Sequence, residues 1–176
     1  NLGIIFSTEY RFGSWNSPGS LYRPFSLAMF AFEWQLAPEK PFLMHFMNVA
    51  LYALTGWALW STWRRILVNY PPALTAMAVL FFMAHPIHTE VVANIKSRDE
   101  ILCFLFVIVT LMFLHKYLTS GKIVALNISA VAFFLAYLSK ESAITMVAII
   151  PLFIWFFSSK SMKSIITTSM VFVGVT

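Results

Sequence analysis

Long apolar runs alternate with short polar punctuation along this chain, and the runs have the length of bilayer-crossing helices. Stretches without Asp, Glu, Lys or Arg cover 41–63 (23 residues), 66–89 (24), 101–115 (15), 123–139 (17) and 142–159 (18). A helix needs about 20 mostly apolar residues to cross, within a range of ~17–25. The third run reaches Leu118 if Lys116 lifts its ammonium to the headgroups, and a further run starts at Ser164 and stops at Thr176 in mid-helix. The pattern predicts an all-α, polytopic transmembrane helix bundle with about five complete spans and part of a sixth. The second run is the weakest, because its strongly apolar part covers only 73–84, short enough for a re-entrant segment.

Ahead of the first span, Pro24 is a good first helical residue, and the stretch from it to Leu36 would be a helix about 20 Å long. That is too short to cross but suits a helix lying in the interface. Ser26 and Glu33 share one face of it, with Phe25, Met29, Phe32 and Leu36 largely opposite. The expected organisation is an extracytoplasmic loop with an interfacial helix over 1–41, then a transmembrane bundle over 42–176. Both ends of the sequence look cut, so a fragment of a longer membrane protein is expected.

Composition agrees with a membrane protein. The chain is 60% hydrophobic and 11% charged, against roughly 25% charged in soluble domains. Its net charge of +5 forms no patch; the basic residues flank apolar runs singly or in pairs, as membrane anchors do, which argues against nucleic acid. The one cysteine, Cys103, lies in an apolar run and reads as a small core residue. No signal peptide opens the chain.

Charge also sets sidedness. Numbering the connections alternately, one side receives Arg64, Arg65, Lys116, Lys122, Lys160 and Lys163 and no acid. The other receives all seven acids and the other six basic residues, spread over much more sequence. The density of Lys and Arg in short loops makes the acid-free side cytoplasmic, with Trp57, Trp60 and Trp63 as its aromatic belt. The acid-rich side is then lumenal or periplasmic.

On that side lies a polar island, His85-Pro-Ile-His-Thr-Glu-Val-Val-Ala-Asn-Ile-Lys-Ser-Arg-Asp-Glu100. Polar groups this close to bilayer-length helices read as functional unless paired. Pro86 disfavours helical geometry at His85 and ends the second span there. His85, His88 and Glu90 can share a cavity, either as a divalent-metal or phosphate site or as helix-capping groups bonded to one another. Ser97 and Glu100 have the spacing of a capping box for the next span. Arg98 has no capping duty, and its guanidinium fork suits a phosphate or carboxylate. Lys140-Glu141 interrupts otherwise uncharged sequence; as helix neighbours they point apart, and Lys140 reads either as a ligand for a lipid phosphate or as an interfacial anchor. His45, Asn48 and Tyr52 recur on one face of the first span, for packing or for ligand contact. Asn127-Ile-Ser129 matches a glycosylation sequon but lies within a span. No phosphate-cradling Gly loop, Gly-x-Ser-x-Gly, His-Glu-x-x-His or Cys-x-x-Cys occurs.

Tyr22-Arg23-Pro24, His45-x-x-Asn48, His85-Pro-Ile-His-Thr-Glu90, Arg98-x-Glu100 and Lys140-Glu141, in that order, resemble the membrane domain of the transmembrane and tetratricopeptide-repeat-containing O-mannosyltransferase family and its bacterial relatives. These belong to the GT-C class of glycosyltransferases. The resemblance runs from about Tyr22 to about Pro151 and implies a multi-span enzyme. Such an enzyme transfers a sugar from a polyprenyl- or dolichyl-phosphate donor to a protein or glycan hydroxyl on the lumenal or periplasmic face. It implies Arg98 and Lys140 as donor-phosphate ligands, and Arg23, His45, Asn48, His85, His88, Glu90, Glu100 and Glu141 as pocket residues. No cofactor is required by the resemblance; a divalent metal stays possible, with His85, His88 and Glu90 as its only candidate ligands. The catalytic base is expected on an acid upstream of Asn1, since Glu9 does not match the paired-acid pattern. Ser97 stands where the family often has Gly, and Asp99 adds a charge, both pointing to a divergent member. The 34-residue signature of tetratricopeptide repeats is not found. A bacterial inner membrane or the endoplasmic reticulum membrane would hold such a protein. Two rival readings are a lipid-linked-sugar transporter or flippase, which would call for mid-membrane polar residues and broken helices in repeated halves, and a non-catalytic membrane scaffold.

Overall fold

A computed structural model describes residues 22–175, which form an all-α bundle. The helices are α1 (Pro24–Leu36), α2 (Pro41–Ile66), α3 (Pro72–Met83), α4 (His88–Ala93), α5 (Arg98–Ser120), α6 (Ile123–Ser139), α7 (Met146–Phe157) and α8 (Met162–Val173). Two 3-10 turns, Ile95–Ser97 and Glu141–Thr145, lead into α5 and α7. Proline starts α1, α2 and α3, where its fixed φ suits the first turn and its missing N–H costs nothing. Gly121, at φ 69°, ends α5 in the left-handed conformation, which a residue with a Cβ enters only at a cost. The turn Gly121-Lys122 makes α5 and α6 an antiparallel hairpin, the tightest pairing in the bundle.

Alpha-5 is the central element. It packs along α6 on one side and α2 on another. One core gathers Leu114, Phe133, Ile150, Ile154 and Phe172 from α5 to α8; a second joins Ala58, Leu59, Val79, Leu105 and Ile108 from α2, α3 and α5. Hydroxyls inside the spans are satisfied locally: Thr55, Thr62 and Thr110 donate to the carbonyl four residues back. Ser129 donates across to the Thr110 carbonyl at 2.8 Å, stitching α6 to α5. Apolar side chains also cover the outside. Phe81 and Phe156 are both 74% exposed, as befits a surface whose solvent is lipid.

The helices depart from the expected spans in instructive ways. Alpha-2 runs through Arg64-Arg65 to Ile66. Within the second run the helix that could serve as a span covers only Pro72–Met83, about 18 Å at 1.5 Å per residue, because Pro71-Pro72 bars an earlier start. It ends before Pro86, with Ala84 as its last cap. Among the described residues, α2 and the Ile95–Ser120 rod are the helices long and apolar enough to cross a membrane; the other apolar ones have 12–17 residues. Alpha-1 forms over the expected residues, with Ser26 and Glu33 turned into the bundle and Phe32 and Leu36 more than 60% exposed. Its polar face is inside, while its apolar face is half-buried at Phe25 and Met29 and opens outward at Phe32 and Leu36.

Candidate functional site

The site grows from the first three residues of α5. Successive helical residues point about 100° apart, so Arg98, Asp99 and Glu100 reach three different elements. Arg98 turns inward and is fully buried. Its Nη1 donates to Glu33 Oε1 of α1 at 2.5 Å, its Nε to Asn48 Oδ1 of α2 at 2.9 Å, and its Nη2 to the Met44 carbonyl at 2.8 Å. The Phe30 ring covers the guanidinium, 4.4 Å from its carbon to the ring centroid, a cation–π contact that replaces lost hydration. The guanidinium fork is thus committed inside the protein rather than presented to a lipid phosphate.

Asp99 pairs with Arg23, just ahead of α1. Arg23 also grips Glu141 in bidentate fashion, Nε to Oε2 at 3.0 Å and Nη2 to Oε1 at 2.6 Å. That hydrogen bonding holds the Glu141 carboxyl below the usual carboxylate range and pushes the Arg23 guanidinium further up. Glu100 pairs with Lys140. Lys140 adopts extended geometry, φ −158° and ψ 133°, so Lys140 and Glu141 are not helix neighbours. The break between α6 and the 3-10 turn lets each reach a different partner.

The expected capping box does not form. Ser97 makes no side-chain cap bond. It closes a 3-10 turn capped by Asn94, whose Oδ1 accepts from the Lys96 amide. The Glu100 amide donates to Asp99 Oδ1 instead, and the Glu100 carboxylate is drawn to Lys140.

The stripe on α2 faces the island. Buried Asn48 donates to the carbonyls of Asn94 and Val92 at 3.1 and 3.4 Å while accepting from Arg98. Tyr52 donates to the Met83 carbonyl at 2.7 Å. Beside them open two adjoining clefts that share Tyr52 and His88. One, of about 320 Å³, is lined by Tyr52, Thr55, Phe82, His88, Glu100 and Phe104. The other, of about 350 Å³, includes His45, Val49, Met83, His85 and His88. His88 rests 4.6 Å from the Phe82 ring, centroid to centroid, and 6.2 Å from His85. Glu90 is exposed on α4 and lines neither cleft.

His85, His88 and Glu90 do not converge on a point: among the described residues no group of three or more His, Cys, Asp and Glu is placed to hold a metal ion. Glu9 lies outside the described residues. Sequence reasoning missed Glu33, Met44 and Asp99 as members of this network. Glu33 left one signal, its place with Ser26 on a polar stripe of an otherwise apolar helix.

These features define an all-α membrane helix bundle whose polar end is laced by ion pairs around an aromatic- and histidine-lined cleft. The sequence model of the dolichyl-phosphate-mannose-protein mannosyltransferases matches residues 23–176, and the chain belongs to that family. It is similar to the human protein O-mannosyl-transferase TMTC3, 27% identical over 84% of this chain and 16% of that protein. It is 32% identical to human TMTC1 over 56% of this chain and 11% of that protein, and 36% identical to human TMTC2 over 52% and 11%. The chain thus spans about a sixth or less of the length of these relatives. No solved structure matches it.

Proposed function

We propose that this chain is the donor-binding part of a GT-C-type glycosyltransferase. The full protein would move a sugar from a polyprenyl- or dolichyl-phosphate carrier to a protein or glycan hydroxyl at the extracytoplasmic membrane surface. The observation that carries the reading is the Lys140–Glu100 pair, whose Glu100 lines the first cleft. Lys140 is 19% exposed and Glu100 46%, so a phosphate can displace the carboxylate from the ammonium with little rearrangement. A lipid phosphate held there is compensated by a point charge of the right sign at headgroup level. Tyr52, His88 and Phe82 offer the polar and aromatic wall on which a sugar can rest.

In this reading Arg98 holds α1, α2 and α5 in register from behind, and Lys140 meets the phosphate. Arg23 orients the segment between α6 and α7 through Glu141. General-base catalysis requires a carboxylate within hydrogen-bond reach of the acceptor hydroxyl; we assign that part to an acid upstream of Asn1 in the full-length protein. His45 and His85 line the adjoining cleft and Asn48 braces the island behind it, with the metal question decided by activity after chelation.

The test is transfer by the full-length protein, reconstituted in liposomes, from dolichyl-phosphate mannose to a peptide. Lys140→Ala is expected to raise the donor KM about tenfold, the size of one lost charge-assisted phosphate contact, with a smaller effect on kcat. Donor-concentration curves that superimpose on wild type would remove Lys140 from the site. Uptake of the lipid-linked sugar across sealed vesicles without transfer would replace the enzyme by a flippase.

A further inference from the structure

The far end of the bundle carries a third cleft, of about 280 Å³, lined by Trp60, Ser61, Arg64 and Arg65 in the last turns of α2. Its side-chain hydrogen-bonding complement is almost wholly donors. Arg64 lies over the Trp60 ring, 5.2 Å from the centroid. The Trp60 indole N–H is buried without a hydrogen-bond partner among the described residues. Arg64 and Arg65 are exposed and make no ion pair among the described residues. The acids of the described residues lie in or beside α1, in α4, in the first turn of α5 and in the turn after α6, and none of them lines this cleft. An orphan buried donor and two open guanidiniums around one cleft together call for an anion.

We infer that this cleft binds the phosphate of an anionic phospholipid headgroup at the membrane surface opposite the polar island. Lipid is the fitting source because α2 is long and apolar enough to cross a membrane, which sets Arg64 and Arg65 at headgroup level beside the exposed Trp57 ring. The last carbonyls of α2 work against an anion with about half a negative charge. Two guanidiniums outweigh it roughly fourfold, so the net field still favours a phosphate. The arrangement is separate from the cleft at Glu100 and Lys140, at the other end of α2.

Thermal unfolding of the detergent-purified full-length protein, titrated with phosphatidylglycerol, phosphatidylcholine or inorganic phosphate, tests this. Phosphatidylglycerol is expected to raise the midpoint in a saturable way, with the other two having little effect. The doubly substituted Arg64→Gln/Arg65→Gln protein should bind about 25-fold more weakly, at about fivefold per arginine near an anionic surface. Trp60→Phe, which keeps the ring and removes the N–H, should bind severalfold more weakly while folding as wild type. Lys163→Gln, which lies outside the cleft, should leave the titration unchanged. An equal shift with phosphatidylcholine, an equal shift with inorganic phosphate, or full retention in both cleft variants would each overturn the inference.

Discussion

The two ends of α5 are built on opposite principles. At its start, three consecutive charged residues are each spent on a partner from another element: Arg98 on Glu33, Asp99 on Arg23, Glu100 on Lys140. At its finish neutral hydrogen bonds make the turn: Gly121 is in the left-handed conformation with its amide bonded to the Tyr117 carbonyl, and the Ser120 hydroxyl accepts from the Lys122 amide. Lys116 there lies over the Phe113 ring rather than against an acid. The contrast separates two uses of charge near a membrane. Paired charge at the polar end fixes how helices meet, and little of it is left over for a ligand except at the replaceable Lys140–Glu100 contact. Unpaired positive charge at the other end stays open to the bilayer surface.

Breaking the paired end at its buried centre gives the largest expected effect. Arg98→Met leaves the Glu33 carboxylate inside the bundle, where its second oxygen, Oε2, already lacks a partner among the described residues. Losing one half of a buried pair costs about 3–5 kcal/mol. Unfolding of the full-length protein in detergent should show a loss of that order. Arg98→Met combined with Glu33→Leu should recover most of it, since a buried ion pair is readily replaced by apolar groups of similar volume. A double variant as unstable as the single one would show that the guanidinium acts through Asn48 and Met44 instead. Asn48→Leu comes next: it strips two backbone carbonyls and one Arg98 N–H of their partner, at about 1–3 kcal/mol.

These two predictions concern a site that was only half legible in the sequence. The polar stripe of α2 and the island were visible as polarity in the wrong solvent, and the structure does set them face to face. That Ser26 and Glu33 share a face of α1 was equally readable. Which way the face turned was not, because a short helix with apolar residues outside satisfies lipid as well as one with them inside satisfies a core. The partner of Arg98 is 65 positions away, beyond any local pattern. Spacing misled at Ser97: a capping box needs extended geometry at the cap, whereas the 3-10 turn leaves Ser97 at ψ 13°. The short α3 was foreshadowed by its weak apolar stretch and set by Pro71-Pro72. The hairpin turn after α5 went unread, although Gly121 between a span and a lysine carries a local helix-stop signal.

The unpaired end can be probed at that glycine. Gly121→Ala meets no atom within 4 Å, so its cost is conformational only, about 1 kcal/mol for forcing a side chain into the left-handed region. The loss should not depend on salt. A change that tracked ionic strength would mean that the hairpin turn bears on the surrounding lysines, and the contrast between the two ends would weaken.

The smallest effect belongs to the exposed part of the paired end, and pH isolates it. The Glu141 side chain is 52% exposed, so its bond to Arg23 is worth about 1 kcal/mol at most once solvent screening is allowed for. Its carboxyl is held below the usual range when folded, chiefly by the Arg23 hydrogen bonds. The contribution is therefore complete above the unfolded carboxylate value of about 4.3. It disappears as pH falls through the lower folded value, because protonation then removes the charge Arg23 was gripping. Arg23 stays cationic throughout and keeps Asp99, so the bundle should not open. Thermal midpoints of wild type and Glu141→Gln should differ by a degree or two at pH 7 and converge as pH falls through the lowered folded value. The gap should also narrow in high salt, as an exposed pair screened over about 3 Å at 1 M requires. A gap that is constant in both pH and salt would show that Glu141 acts by packing, and that the ionic lacing of the polar end stops at Asp99.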